Sequence, residues 1–295
     1  MSLRLEGIFV PHTTPFRQDG SLDLEALRAC VDFWVESGLH GLVVLGSNGE
    51  FPYLTREEKR EVVRAVVDQV NGRVPVIAGT GAPSTHETVE LSREAVDLGA
   101  DALMVVTPYY FRPSSEELLA HYSEVLEKVD APVLLYNVPK FTGYDMDISV
   151  VEALADEHSN LVGMKDSSPS LLRLSELISR VGDRISILAG AISITLPALM
   201  LGARGAIVAV ANFAPELSVQ LYRAFREGRL DEAIRAQRVL SEVWAAIQLY
   251  NQIAAVKALT ALRGLPAGLP RKPILPLSEE AVEQLRELLV KHGLL

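Results

Sequence analysis

Eight short apolar runs punctuate the chain: Gly7–Val10, Gly41–Leu45, Val74–Ala78, Ala102–Val106, Pro132–Tyr136, Leu161–Met164, Ile185–Leu188 and Ala206–Val210. Each is rich in Val, Ile and Leu without clean polar alternation, the pattern of strands buried on both faces of a parallel sheet. Amphipathic stretches separate them. Thr55-Arg-Glu-Glu58, Ser84-Thr-His-Glu87 and Ser114-Ser-Glu-Glu117 read as capping boxes. Pro169 and Pro215 stand where a first helical position tolerates a missing N–H. Leu24, Leu27, Val31 and Trp34 share one face of the first helix, which a sheet must cover. Gly38, Gly72, Gly99, Gly182 and Gly202 each precede a run, as glycines that end helices do.

Eight strand–helix units in series predict a closed (β/α)8 barrel of the α/β class. A doubly wound sheet also alternates strand and helix, but it usually carries a phosphate fingerprint. Here Gly79-Thr-Gly81 lacks the third glycine and soon meets Pro83, so that reading is the weaker. No strand pattern returns after about residue 225. Helical patterns cover roughly Leu230–Leu249, Gln252–Arg263 and Glu279–Leu289. The expected organisation is a barrel over 1–225 and a helical extension over 226–295, either packed on the barrel or serving as an oligomerisation face.

Composition narrows the function. With 295 residues, 48% hydrophobic and 22% charged, the chain is an ordinary globular sequence. Its net charge is −10, with no basic run longer than Arg271-Lys272, so nucleic acid is not an expected partner. No stretch approaches the ~18 apolar residues of a membrane span, and Met1 to Glu6 lacks the apolar core of a signal peptide. The single cysteine, Cys30, permits no intrachain disulfide and fits a reducing cytosol. It falls inside the first amphipathic helix and reads as core, not as a nucleophile. The six histidines form no HxxxH pair, so no protein-built zinc site is expected.

Barrel enzymes work at the C-terminal ends of their strands. There the sequence puts Gly46-Ser-Asn-Gly-Glu50, Thr107-Pro-Tyr-Tyr110, Tyr136-Asn-Val-Pro139, Gly163-Met-Lys165-Asp-Ser-Ser168, Ala189-Gly-Ala191 and Ala211-Asn212. Lys165 directly ends an apolar run. An ammonium there is poorly hydrated, so burial favours the neutral amine, and such an amine forms a Schiff base with a small keto acid. The structural alternative is a lysine paired with Asp166 or Glu50. The remaining lysines fall on helices or loops, Lys140 being the nearest competitor. Tyr136 ends the adjacent strand, where its phenol could shuttle protons through a relay such as Ser47. Its alternative is a barrel-mouth aromatic with a satisfied hydroxyl. Ser47 and Asn48, with flexible backbone amides around them, could hold a carboxylate, or could form an ordinary turn. No Gly-x-Ser-x-Gly elbow is present, and no basic glycine-rich loop supports phosphate chemistry.

Taken in order and spacing, His12-Thr-Thr-Pro-Phe16, Gly46–Glu50, Thr107–Tyr110, Tyr136–Pro139 and Gly163–Asp166 resemble the dihydrodipicolinate synthase/N-acetylneuraminate lyase family of class I aldolases. The resemblance covers nearly the whole chain. It implies a barrel with a C-terminal helical domain, usually a homotetramer, and a lysine that forms an imine with pyruvate. That lysine matches Lys165, and the family's tyrosine matches Tyr136. The two threonines of the family's Gly-Thr-Thr-Gly-Glu loop match Ser47 and Asn48. Tyr110 matches the tyrosine that crosses a subunit interface, and Gly190 and Ile207 match pocket-lining positions. One departure concerns the arginine that holds the aldehyde's carboxylate in the synthases. Its position is Phe141 here, beside Lys140, and a phenyl ring cannot make a bidentate contact. Gly46–Thr55 and Gly163–Ser167 look closer to the 4-hydroxy-2-oxoglutarate aldolase branch, which places the lysine-pathway synthase second.

The expected activity is therefore carbon–carbon cleavage or condensation through an imine at Lys165. Tyr136, Ser47 and Tyr110 of a neighbouring chain would move protons, and Ser47 and Asn48 would grip the pyruvyl carboxylate. The substrates are a 2-oxo acid and an aldehyde. The protonated imine is the electron sink, so no metal or organic cofactor is expected. The rival from another class is a non-catalytic barrel that binds a 2-oxo acid.

Overall fold

Parallel strands close into a ring in chain order, β1 to β8, and amphipathic helices follow them along the chain: the (β/α)8 barrel that the sequence predicts. The structure is a computed structural model describing residues 5–295. The first four residues of the charged N-terminal segment lie outside the described residues.

The barrel begins with β1 (Gly7–Pro11), α1 (Leu24–Glu36), β2 (Gly41–Val44), α2 (Arg56–Val70), β3 (Val76–Gly79) and α3 (Thr85–Asp97). It continues through β4 (Ala102–Val106), α4 (Ser115–Lys128), β5 (Val133–Asn137), a single turn α5 (Pro139–Thr142) and α6 (Ile148–Glu157). Next come β6 (Leu161–Asp166), α7 (Leu171–Val181), β7 (Ser186–Ala189), α8 (Thr195–Leu201), β8 (Gly205–Ile207) and α9 (Pro215–Arg226). Helices α10 (Leu230–Ile247), α11 (Gln252–Leu262) and α12 (Glu279–Lys291) complete the chain.

Local chemistry explains most boundaries. Thr55 and Ser114 form full capping boxes with Glu58 and Glu117. Ser84 makes half of one, accepting the Glu87 N–H at 3.2 Å. Pro215 opens α9 as expected, but Pro169 lies ahead of α7. There Ser170 caps the helix by accepting the Arg173 N–H, a bond that a proline ring cannot offer. Gly182 ends α7 at φ −67°, without the left-handed turn that its position suggests. The last strand is shorter than its apolar run, because Ala209–Asn212 tightens into a 3-10 turn.

The chain divides into two compact units. One takes in Ile77–Ile207 and the other combines Ile8–Val76 with Val208–Leu295. In the first, β4 and β5 are buried throughout, as is β6 apart from Val162. In the second, Trp34 donates Nε1–H to the Asn212 carbonyl at 3.0 Å and stacks on His12 at 5.3 Å. The Asn212 amide returns to the end of β1 by accepting the Thr13 N–H and donating to the Pro11 carbonyl.

Candidate active site

Lys165 and Tyr136 meet. They pair in register across β5 and β6, and the Lys165 Nζ sits 4.2 Å from the centre of the Tyr136 ring. Each is 4% exposed. The register depends on a bulge in β6. Leu161 pairs with Val133, but Gly163 pairs with Leu134, so Val162 is an extra residue. Were Val162 paired with Leu134 in an unbroken register, Lys165 would stand opposite Asn137 and face away from Tyr136, because a one-residue slip turns every side chain over.

The structural alternative for Lys165 loses its partners. Asp166 is occupied behind the sheet: it accepts from Arg173 Nε at 2.8 Å, from Asn137 Nδ2 at 2.9 Å, and from the Ser168 hydroxyl. Glu50 pairs with Lys257 at 2.5 Å. No carboxylate of the described residues forms an ion pair with Lys165.

The residues after the pair form a buried polar cluster. Asn137 donates to Asp145 at 2.7 Å and to Asp166, and accepts the Met146 N–H at 3.1 Å. Arg173 also donates to the Met146 carbonyl at 2.6 Å. The motif Tyr136–Pro139 contains Asn137 but does not by itself reveal this role, and no sequence pattern points to Arg173 or Asp145. The available signal was a polar residue directly following each inward-facing one on a buried strand.

Gly190 follows β7 and donates its N–H to the Asp166 carbonyl at 2.7 Å. A Cβ there would lie 2.0 Å from the Ser167 Oγ and 2.9 Å from the Asp166 carbonyl oxygen, so only glycine fits. Ile207 ends β8, 1% exposed. Tyr110 does not join the pair within the chain. It is 78% exposed and packs edge-on against Phe111. Phe141 is half exposed on the turn after β5, with the Lys140 Nζ 5.8 Å from its ring centre. Tyr144, downstream of that turn, donates its hydroxyl to the Pro108 carbonyl at 2.6 Å. Burial raises its phenol above the usual range.

In the other unit, Ser47–Gly49 forms a 3-10 turn after β2. Thr14 donates to the Gly49 carbonyl at 2.8 Å, and Glu50 takes a left-handed φ of 56°. Asn48 is buried and accepts from Gln252 Nε2 at 3.0 Å. Below the turn, Glu50 binds Lys257 and accepts the Arg271 backbone N–H at 2.8 Å. Lys257 also donates to the Leu269 carbonyl at 2.7 Å. Burial pushes its ammonium pKa down to about 8, although Glu50 opposes the shift. Sequence reading passed over this second buried lysine because it sits on a helical pattern. Cys30 is buried, which pushes its thiol up to about 12, unsuited to nucleophilic work. Among the described residues, no group of three or more His, Cys, Asp or Glu side chains could hold a metal ion, and no helix is long and apolar enough to cross a membrane.

The family model of the dihydrodipicolinate synthetase family matches residues 4–292. The chain belongs to the dihydrodipicolinate synthetase family. It is a carbon–carbon lyase of the class I aldolase type. A 4-hydroxy-tetrahydrodipicolinate synthase of Methanopyrus kandleri is 40% identical over 296 residues, covering 100% of this chain and 99% of its own. Among solved structures, YagE of E. coli K12, a prophage protein of the dihydrodipicolinic acid synthase family in complex with pyruvate, is 36% identical, with a TM-score of 0.95 and 99% of each chain covered. The dihydrodipicolinate synthase of Aquifex aeolicus is also 36% identical, with a TM-score of 0.94, covering 98% of this chain and 99% of its own. These names back the synthase reading that the sequence places second, over the 4-hydroxy-2-oxoglutarate aldolase branch.

Proposed function

We propose that the protein runs an aldol reaction through an imine between Lys165 and the 2-oxo carbon of pyruvate. The observation that carries this is a buried lysine, free of carboxylate partners among the described residues, beside a tyrosine ring 4.2 Å away. The neutral amine adds to the ketone, water leaves, and the protonated imine acidifies the pyruvyl methyl group. Loss of a methyl proton gives the enamine, which bonds to the aldehyde carbon. Hydrolysis then frees the lysine, and cleavage is the same sequence reversed. Tyr136 is the general acid and base. On the resemblance of its motifs to the family's, Ser47 would be the relay, Ser47 and Asn48 would hold the substrate carboxylate, and Gly190 and Ile207 would line the pocket. On the same resemblance Tyr110 would enter a neighbouring copy's relay within a homotetramer. The high exposure of Tyr110 in the single chain suits that assignment.

Incubation with pyruvate and borohydride should add one reduced pyruvyl group, which peptide mapping should locate on Lys165 and not on ion-paired Lys257. Lys165→Ala should lose the adduct and about a thousandfold or more of turnover. Full activity in that variant would overturn the mechanism, and absence of an adduct in the parent would favour a binding protein.

For the aldehyde, the names of the relatives support aspartate semialdehyde, with Lys140, beside the Phe141 that replaces the arginine, as the cation to meet its carboxylate. Phe141 in the arginine position supports a second reading, cleavage of a 4-hydroxy-2-oxo acid or a 2-keto-3-deoxy sugar acid. Comparing kcat/KM for aspartate semialdehyde condensation with that for cleavage of 4-hydroxy-2-oxoglutarate and a 2-keto-3-deoxy sugar acid separates the two.

A further inference from the structure

We infer that Asn137 is a positioning residue that holds Lys165 and Tyr136 in working register from behind the sheet. The inference rests on the imine reading of that pair. Asn137 and Asp166 are the next residues along β5 and β6 and are themselves in register. Strand alternation sends their side chains to the face opposite the pair. There the Asn137 amide uses both donors and its acceptor: Asp145 at 2.7 Å, Asp166 at 2.9 Å and the Met146 N–H at 3.1 Å. Arg173 of α7 closes the cluster on Asp166 and on the Met146 carbonyl. Asn137 and Asp166 are fully buried, where a satisfied network locks geometry and a broken one is costly. The bond from Asn137 to Asp166 joins the two strand ends one residue beyond the reacting groups. Slippage of one strand past the other therefore has to break it. Positioning, not proton transfer, is its work, since the amide does not titrate.

Asn137→Asp is nearly isosteric and tests this. It exchanges two donors for a carboxylate that faces Asp145 and Asp166, with Arg173 as the one cation of the cluster. Crystal structures of the parent and the variant should show the Lys165–Tyr136 separation changed by about 0.5–1 Å, a displacement of the size that costs 10- to 100-fold in rate. Accordingly kcat should fall 10- to 100-fold with the KM for pyruvate little changed. The ratio of variant to parent kcat should rise as pH falls, because the new carboxyl becomes a neutral donor when protonated. If that variant does not fold, Arg173→Lys, which keeps the charge but not the fork, should give the same split between kcat and KM at smaller size. An unchanged separation, or kcat within twofold of the parent in a folded variant, overturns the inference. A parent that traps no pyruvate removes the imine reading, while the crystallographic comparison still decides whether Asn137 sets the register.

Discussion

Lys165 and Lys257 are both lysines in the dry interior, and their neighbours make them different chemical objects. Lys257 has a carboxylate at 2.5 Å and a carbonyl at 2.7 Å, so its ammonium is held in place by two acceptors. Lys165 has an aromatic face and no carboxylate partner among the described residues, so it lacks the ion pair that holds Lys257, as the proposed imine chemistry requires. Burial acts just as directly on histidine. It pushes both His12 and His121 from 6.5 down to about 4. The His12 Nδ1–H donates to the Thr13 carbonyl, and that bond opposes the shift without reversing it. Between about pH 4 and 6.5 these rings are neutral when folded, whereas the unfolded chain binds a proton at each. The unfolded state therefore holds more protons, and stability falls as pH drops through that window. A shift of this size corresponds to roughly 3 kcal/mol for each ring. Denaturant titrations should show unfolding free energy declining from pH 6.5 to 4, with a shallower slope in His12→Gln. A parallel slope would remove His12 from the account.

Strand β6 carries the functional register through one surplus residue. Val162 bulges out, Gly163 takes the place opposite Leu134, and Lys165 thereby lands opposite Tyr136. The strand end is then fixed by close approach of Gly190, whose absent side chain lets the chain after β7 reach the Asp166 carbonyl. A methyl group at 190 would overlap the flexible Ser167 hydroxyl, which can move, and the Asp166 carbonyl, which cannot move without taking Lys165 with it. Gly190→Ala should therefore lower kcat about 10- to 100-fold, with a smaller proportional change in unfolding free energy. Stopped-flow imine formation and denaturant melts would measure the two, and a variant with native kinetics would show that the strand end has slack.

Across the whole molecule, the C-terminal helices do more than cover a surface. Helix α11 sends Lys257 under the turn after β2, and the segment beyond it supplies the Arg271 N–H to the same Glu50 carboxylate. Arg271 continues to Glu58 at the start of α2 with two bonds of 2.6 and 2.7 Å, and both cations lie over the Phe16 ring. Removing one member of such a buried pair strands the other charge, which costs about 3–5 kcal/mol. Glu50→Gln should lose that order of stability at pH 7. The loss should shrink at pH 9, because Lys257, already near 8 and deprived of the partner that raises it, sheds its proton. A Glu50→Gln/Lys257→Met double variant should recover part of the loss, and equal losses at both pH values would contradict the assignment.

Periodicity alone revealed the eight strands, the three C-terminal helices and the caps at Thr55 and Ser114. Those features depend on side chains a few residues apart, so the linear order already contains their physics. The placement of Lys165 and Tyr136 at strand ends was legible for the same reason. The bulge at Val162 was not, because it is a choice between two pairings with a strand some thirty residues away. Nor were the partners of Asp166 and Glu50, which come from Arg173 on the next helix and from Lys257 over two hundred residues along the chain. Apolar pattern determines which residues leave water, a property of each segment by itself. Which buried charges find one another depends on distances that only the closed barrel and its packed helices set, and that tertiary choice paired one lysine with a carboxylate and set the other against an aromatic ring.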